Sequence, residues 1–197
     1  MGQVLCYRGC KSLLFFSVLG LLFFSSCRST RSFTSPLPEE YSIRMSKSSA
    51  SGYKNVKRVR KYEFAHRDVP AAFDGCRLGF VSDLHYRSLL KKKGLRDITR
   101  LLNDLRLDAL LIGGDLHEGC EYVPDVIAAL GAVKTPLGTY AVLGNNDYEA
   151  CYDDILKEME RQGIHLLEHE ADTLKRNGGR IVIAGVRNPF NLGQNGQ

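Results

Sequence analysis

The sequence predicts an α/β domain. Strand-like and helix-like segments alternate, the strands are short continuous apolar runs, and each of the first three runs stops at a polar cluster. "CRLGFVSDLH" (76–85) reads as a strand and its following loop. "GLRDITRLLNDLR" places Leu95, Ile98, Leu101, Leu102 and Leu105 at helical spacing. "DALLIGGDLHEG" is a second strand over 109–112, closed by two glycines. "VPDVIAALGAV" repeats the helical pattern through Val126, Ile127, Leu130 and Val133, and "TYAVLG" is a third strand. "CYDDILKEMERQG" is a third helix, with Ile155, Leu156 and Met159 inward and Gly163 as its stop. Shorter strands follow, turning at Asn177-Gly178-Gly179, and the last covers 180–186. This rhythm implies neighbouring parallel strands with helices over both faces.

Residues ahead of this pattern have a different character. Arg8 and Lys11 precede an apolar run over 13–24, and Ser25, Ser26 and Cys27 follow it. A basic start, a short apolar stretch and small residues describe a secretory signal. The run falls short of the roughly 20 apolar residues that a membrane-spanning helix needs. "FSSC" resembles a bacterial lipobox, with Phe24 where Leu is more usual, and that resemblance makes Cys27 the acylated N-terminus of an exported, membrane-anchored protein. Plain signal cleavage nearby and an uncleaved anchor are the alternatives. The division expected is a signal over 1–27, a tether over 28–61 and the folded domain over 62–197.

The tether is serine-rich, contains Pro36 and Pro38, and concentrates the basic residues of a chain whose formal net charge is +5. Such a segment is a flexible linker. Its charge suits anionic headgroups or is simply solvated. Nucleic acid is a poor partner for an exported chain, and no aromatic residues interleave with the basic ones. Cys6 and Cys10 lie in the signal, and Cys76, Cys120 and Cys151 show no CxxC spacing. A cysteine-ligated zinc site and a disulfide framework are therefore not expected, although one bridge is possible.

Chemistry is concentrated at the strand ends: Asp83-Leu84-His85, then Gly113-Gly114-Asp115, then Gly144-Asn145-Asn146-Asp147. In open α/β sheets the carboxyl ends of the strands form the ligand rim. Asp83 and His85 are two apart, so extended backbone would send both side chains to one side. Asp115 has two oxygens and can bridge two ions, and Asn145 offers an amide oxygen. Oxygen and imidazole ligands suit Mn, Fe, Zn or Mg. Paired glycines before Asp115 would let backbone pass close to the ions. His117 and Glu118 are expected in a surface loop, and Tyr148 is expected to pack.

"SDLH", "GGDLHEG" and "LGNND", in this order and spacing, resemble the calcineurin-like metallophosphoesterases, and "PLGTYAVLGNNDY" and "IVIAGV" resemble their membrane-associated bacterial branch. The resemblance covers about 78–186 and implies a sandwich of βαβαβ units with helices on its outer faces. It implies that Asp83 and His85 bind one of two divalent metal ions, Asp115 bridges both, and Asn145 binds the other. Asn146 stands where the family usually has a histidine that steadies or protonates the leaving group, and Asp147 gives local support. Asparagine donates hydrogen bonds but is no general acid. The family's late histidine ligands, including a Gly-His-x-His motif, have no counterpart before Gln197, which points to a truncated or split sequence.

The function expected is metal-dependent hydrolysis of a phosphoester at the bacterial envelope, with a phospholipid or nucleotide-lipid as a plausible substrate. The alternative is a non-catalytic remnant of the fold that binds metal weakly or not at all. A nuclease of the same family is the weakest reading.

Overall fold

The computed structural model describes residues 3–7, 41–48, 50, 52–148 and 151–188. Cys27, the apolar run over 13–24 and the tail from 189 lie outside the described residues. Nine strands and three α-helices are described: β1 (Gln3–Tyr7), β2 (Tyr41–Ser48), β3 (Val59–His66), β4 (Leu78–Ser82), α1 (Lys92–Asp104), β5 (Ala109–Ile112), α2 (Val123–Gly131), β6 (Thr139–Ala141), α3 (Tyr152–Gln162), β7 (Ile164–Leu166), β8 (Glu170–Arg176) and β9 (Gly179–Gly185). None of the described helices is long and apolar enough to cross a membrane.

Seven strands form one sheet in the order β2-β3-β1-β4-β5-β6-β7, and β8 and β9 form a separate hairpin. The part that positions the site is the run β4 to β7, parallel throughout, with Val81 opposite Ile112 and Ile112 opposite Ala141. The sheet reaches back beyond Tyr62 into segments that the sequence pattern divides between signal and tether. β2 pairs antiparallel with β3, and β1 lies between β3 and β4.

The alternating faces of β4 to β6 feed two cores. Val81, Leu110, Ile112 and Ala141 join residues of all three helices, among them Ile98, Leu102, Ile127, Leu130, Ile155 and Met159. Leu78, Ala109 and Tyr140 point the other way, to Phe73, Leu174, Ile181 and Ile183. The expectation of helices over both faces is therefore corrected: all three lie on one face, and the hairpin β8–β9 packs on the other. Topology explains why. Strands β4 to β7 are laid down in sequence order, and right-handed crossovers all fall on one side when the order never reverses.

Local chemistry sets the helix ends. α2 takes Pro124 into its first turn, where the missing N–H costs nothing. α3 ends at Gly163 in the left-handed conformation, φ 66°, as its position predicts.

Candidate metal centre

The strand-end residues converge. One ligand atom from each of Asp83, His85 and Asp115 lies within 4.8 Å of the others, and all three side chains are at least partly open to solvent. The backbone achieves this in a way the sequence pattern did not suggest. Extended backbone was expected between Asp83 and His85, but Asp83 (φ 53°), His85 (φ 39°) and Asp115 (φ 55°) are all left-handed. A side chain in that region is uncommon and costs on the order of 1 kcal/mol or more, so three together require a surrounding structure that holds them there.

That surrounding structure is a ladder continuing past the strands. Asp83 N–H donates to the Gly114 carbonyl at 3.0 Å, His85 N–H to the Asp115 carbonyl at 3.0 Å, and Tyr86 N–H to the Leu116 carbonyl at 2.9 Å. The glycines permit this close approach of backbone to backbone. A Cβ built on Gly114 (φ +86°) would lie 2.0 Å from the backbone nitrogen of Gly144. One built on Gly144 would lie 2.2 Å from Asp115 Oδ1.

Asp147 ties the third loop to the second. Its Oδ2 accepts from the N–H groups of Asp115 at 2.7 Å and Gly144 at 2.9 Å, and its Oδ1 accepts from Leu116 N–H at 3.1 Å. The residue is fully buried. Burial pushes its carboxyl above the usual carboxylate range, while the three N–H donors and nearby His117 pull it partly back.

Asn145 and Asn146 occupy the rim beside Asp115. Asn146 N–H donates to Asp115 Oδ1 at 3.1 Å, and its amide nitrogen stands 3.5 Å from His85 Nδ1. Asn145 donates its amide to Asn146 Oδ1 at 2.6 Å, which leaves its own Oδ1 for a ligand.

Two residues assigned to a surface loop belong to the site's frame. Glu118 Oε1 lies 2.5 Å from His85 Nδ1. A carboxylate only accepts, so Nδ1 carries the proton and Nε2 is the nitrogen free to ligate. His117 is buried and accepts from Gly119 N–H at Nδ1, which places its proton on Nε2, 3.7 Å from Asp147 Oδ1. At that distance Nε2 has no hydrogen-bond partner among the described residues. Sequence spacing carried one usable signal, since Glu118 sits three residues after Asp115 on the same rim loop.

The possible single bridge is present: Cys120 and Cys151 are joined, with Cα atoms 5.1 Å apart, and Cys76 is free and buried. Tyr148 packs as expected, stacked on Tyr152 with ring centroids 5.7 Å apart, and both hydroxyls donate to Glu168 at 2.5 Å. A groove of about 390 Å³ between α1 and α2, lined in part by Lys92, Arg96, Thr99 and Asn103, contains none of the candidate ligands.

Two carboxylates, one imidazole and an amide oxygen on a rim of left-handed turns are a donor set for hard or borderline divalent cations. Comparison with known proteins agrees. A transmembrane protein with metallophosphoesterase domain from Danio rerio is 26% identical over 134 residues, 66% of this chain and 31% of that protein. An uncharacterized metallophosphoesterase from Helicobacter pylori is 32% identical over 111 residues, 56% of this chain and 29% of that protein. One from Aquifex aeolicus is 27% identical over 133 residues, 66% of this chain and 48% of that protein. The matches thus span between about three-tenths and one-half of these relatives' lengths. The calcineurin-like phosphoesterase family model matches residues 76–191, from just before β4 to beyond β9. The chain belongs to the calcineurin-like phosphoesterase family.

Proposed function

We propose that the protein is a metal-dependent phosphoester hydrolase of the bacterial envelope. The observation that carries this is the convergence of Asp83, His85 and Asp115, each in left-handed backbone, at the rim where Asn145 also stands. Asp83 and His85 would hold one divalent ion, Asp115 would reach two, and Asn145 would supply its amide oxygen to the second. When bound, such ions supply Lewis acidity at the phosphoryl oxygens and lower the pKa of water for attack on phosphorus.

The chain's own groups do the rest. Glu118 holds the His85 ring with its proton on Nδ1. Asp147 fixes the third loop against the second through three N–H bonds. Asn146 stands at the rim with an amide that can donate a hydrogen bond to a phosphoryl or leaving oxygen, but it has no proton to give. General acid catalysis contributes typically 10²–10⁴-fold. Esters of acidic leaving groups, such as nitrophenols, are therefore the preferred substrates.

The bridge Cys120–Cys151 supports a location outside the reducing cytosol. Acylation at Cys27 and a signal over 1–27 remain part of the proposal. So does a lipid-linked phosphoester as substrate, which membrane placement favours and the name of the Danio rerio relative parallels.

The test is hydrolysis of p-nitrophenyl phosphate and bis(p-nitrophenyl) phosphate by the full chain with Mn²⁺. Activity is expected, with loss of at least 10²-fold in Asp115→Ala. A metal-loaded chain inactive on a broad phosphoester panel would overturn the proposal. One feature favours a second reading, a metal-binding protein without catalysis: Asn146 stands where the resemblance to the family places a histidine. Stoichiometric Mn²⁺ binding with no turnover on any ester would select it.

A further inference from the structure

The loop that leaves the first ligand pair carries a surface that the metal centre does not use. Residues 84–96, "LHYRSLLKKKGLR", contain no acidic residue, and Arg87, Lys91, Lys92, Lys93 and Arg96 are all exposed. In their midst Leu89 is 60% exposed, while Leu90 beside it is buried in the main core.

The turn that presents Leu89 is firmly held. Ser88 N–H and Leu89 N–H both donate to the His85 carbonyl at 3.0 Å, and Arg87 N–H donates to the Leu90 carbonyl at 2.7 Å. Leu89 is thus projected outward by a turn built on the backbone of a candidate ligand, with Leu90 as its inward anchor. The flanking cations face neutral groups. Lys91 Nζ donates to the Arg87 carbonyl at 2.8 Å, and the Arg87 guanidinium lies 5.9 Å and 5.1 Å from the ring centroids of Tyr86 and Tyr122. Two carboxylates contact the segment, Glu118 at His85 and Asp125 at the Tyr86 hydroxyl, and neither pairs with its lysines or arginines among the described residues.

Folding alone does not favour this arrangement. The positive end of the helix dipole lies at the start of α1, where acidic side chains are preferred. The first turn of α1 has none and follows Lys91 with Lys92 and Lys93. A single exposed leucine is ordinary by itself. One ringed by cations on a fixed turn suits the boundary between anionic headgroups and acyl chains.

We infer that this turn and the start of α1 form a docking surface for an anionic phospholipid bilayer. Leu89 enters the acyl boundary, and Arg87, Lys91, Lys92 and Lys93 lie on the headgroup phosphates. The inference deepens the envelope reading above and rests on it for its biological setting. Through His85 it brings the metal rim to the level at which lipid phosphoesters lie. Nucleic acid presents similar charge, but a leucine offers its bases no stacking face.

The chain contains no tryptophan, so Leu89→Trp in the full chain makes a single-site reporter. Its emission is followed with vesicles of phosphatidylglycerol and phosphatidylcholine, and with vesicles of phosphatidylcholine alone. Co-sedimentation separately reports binding of the whole chain, including any through the apolar run over 13–24. A blue shift, and quenching by acyl-brominated lipid, are expected with the anionic vesicles and not with the neutral ones. Adding Lys91→Glu/Lys93→Glu should raise the lipid concentration for half of the shift at least about tenfold. Acidic residues suit a helix start, and circular dichroism checks the fold. Salt at about 0.5 M should weaken the response of the parent reporter likewise, which needs no second variant. A chain that sediments with anionic vesicles while the reporter stays in water would overturn the inference and leave an N-terminal anchor standing. Equal shifts on both vesicle types, insensitive to salt, would also overturn it. A reporter that responds to a single-stranded oligonucleotide and not to vesicles would assign the surface to nucleic acid instead. No readout depends on metal or turnover, so failure of the hydrolase reading is seen separately.

Discussion

Asp147 shows how much one buried side chain can hold. Its carboxylate takes three backbone N–H groups from two loops and has no exposed surface. Replacing it by alanine leaves those donors without an acceptor, at about 1–3 kcal/mol for an unsatisfied buried group. Asp147→Ala should therefore lose about 3 kcal/mol or more. For a chain of this size that lowers Tm by roughly 6–12 °C in a thermal melt. Asn restores one oxygen and should recover part of the loss. Cys76 gives a pH-dependent counterpart. Burial pushes its thiol up to about 11. A folded pKa raised above the unfolded one stabilises the protein below the unfolded pKa, and that stability is lost as pH rises through about 11. Alkylation at pH 8 should accordingly run about 100-fold slower on native than on unfolded protein, because only the thiolate reacts. Equal rates would contradict the burial. Residues of this kind differ in legibility. Asp83, His85 and Asp115 were marked by their place at strand ends, but their left-handed backbone was not, because it arises from the neighbouring loop's hydrogen bonds. Glu118 was missed because its place three residues after Asp115 puts it on the rim loop without showing that it reaches His85.

At the level of elements, the segments with strong apolar periodicity were readable and the others were not. β5 matches its expected limits, and α1 and α3 fall on the leucine and isoleucine spacing that predicted them. β2 was read as tether because serine and basic residues set the character of that whole stretch and outweighed the short alternation of Tyr41, Ile43 and Met45 with Ser42, Arg44 and Ser46. It is an edge strand, and Ile43 and Met45 stay exposed on it. The pairing of Cys120 with Cys151 also needed the structure, since two loops 31 residues apart meet only after β5 and β6 align. That meeting depends on Gly114. With φ +86° and a virtual Cβ 2.0 Å from Gly144 N, Gly114→Ala forces backbone apart where the loops touch. The expected cost is about 3 kcal/mol from strain and overpacking together. A melt of Gly114→Ala beside Gly178→Ala checks it. Gly178 is also left-handed, φ +81°, but has nothing among the described residues within 4 Å of a virtual Cβ, so it isolates the backbone strain from the steric contact. Comparable losses in the two variants would contradict the close approach.

For the whole molecule, the site concentrates negative charge that the fold alone does not offset. Asp83, Asp115 and Glu118 surround one imidazole on an open rim. A divalent ion bound only by the folded chain stabilises it by RT ln(1 + [L]/Kd), about 2.7 kcal/mol at one hundred times Kd. At roughly 2–4 °C per kcal/mol, saturating Mn²⁺ should raise Tm by about 5–11 °C, and EDTA should reverse the rise. Asp115→Ala removes the carboxylate that the other ligands surround, so its Tm should stay nearly still over the same titration. Both proteins shifting equally would assign the effect to scattered surface carboxylates such as Glu160 and Glu170, which are exposed on the folded chain. Neither shifting at millimolar Mn²⁺ would mean that Asp83, His85, Asp115 and Asn145 do not hold a metal in this chain. The measurement needs no substrate, so it judges the metal centre independently of the hydrolysis proposed for it.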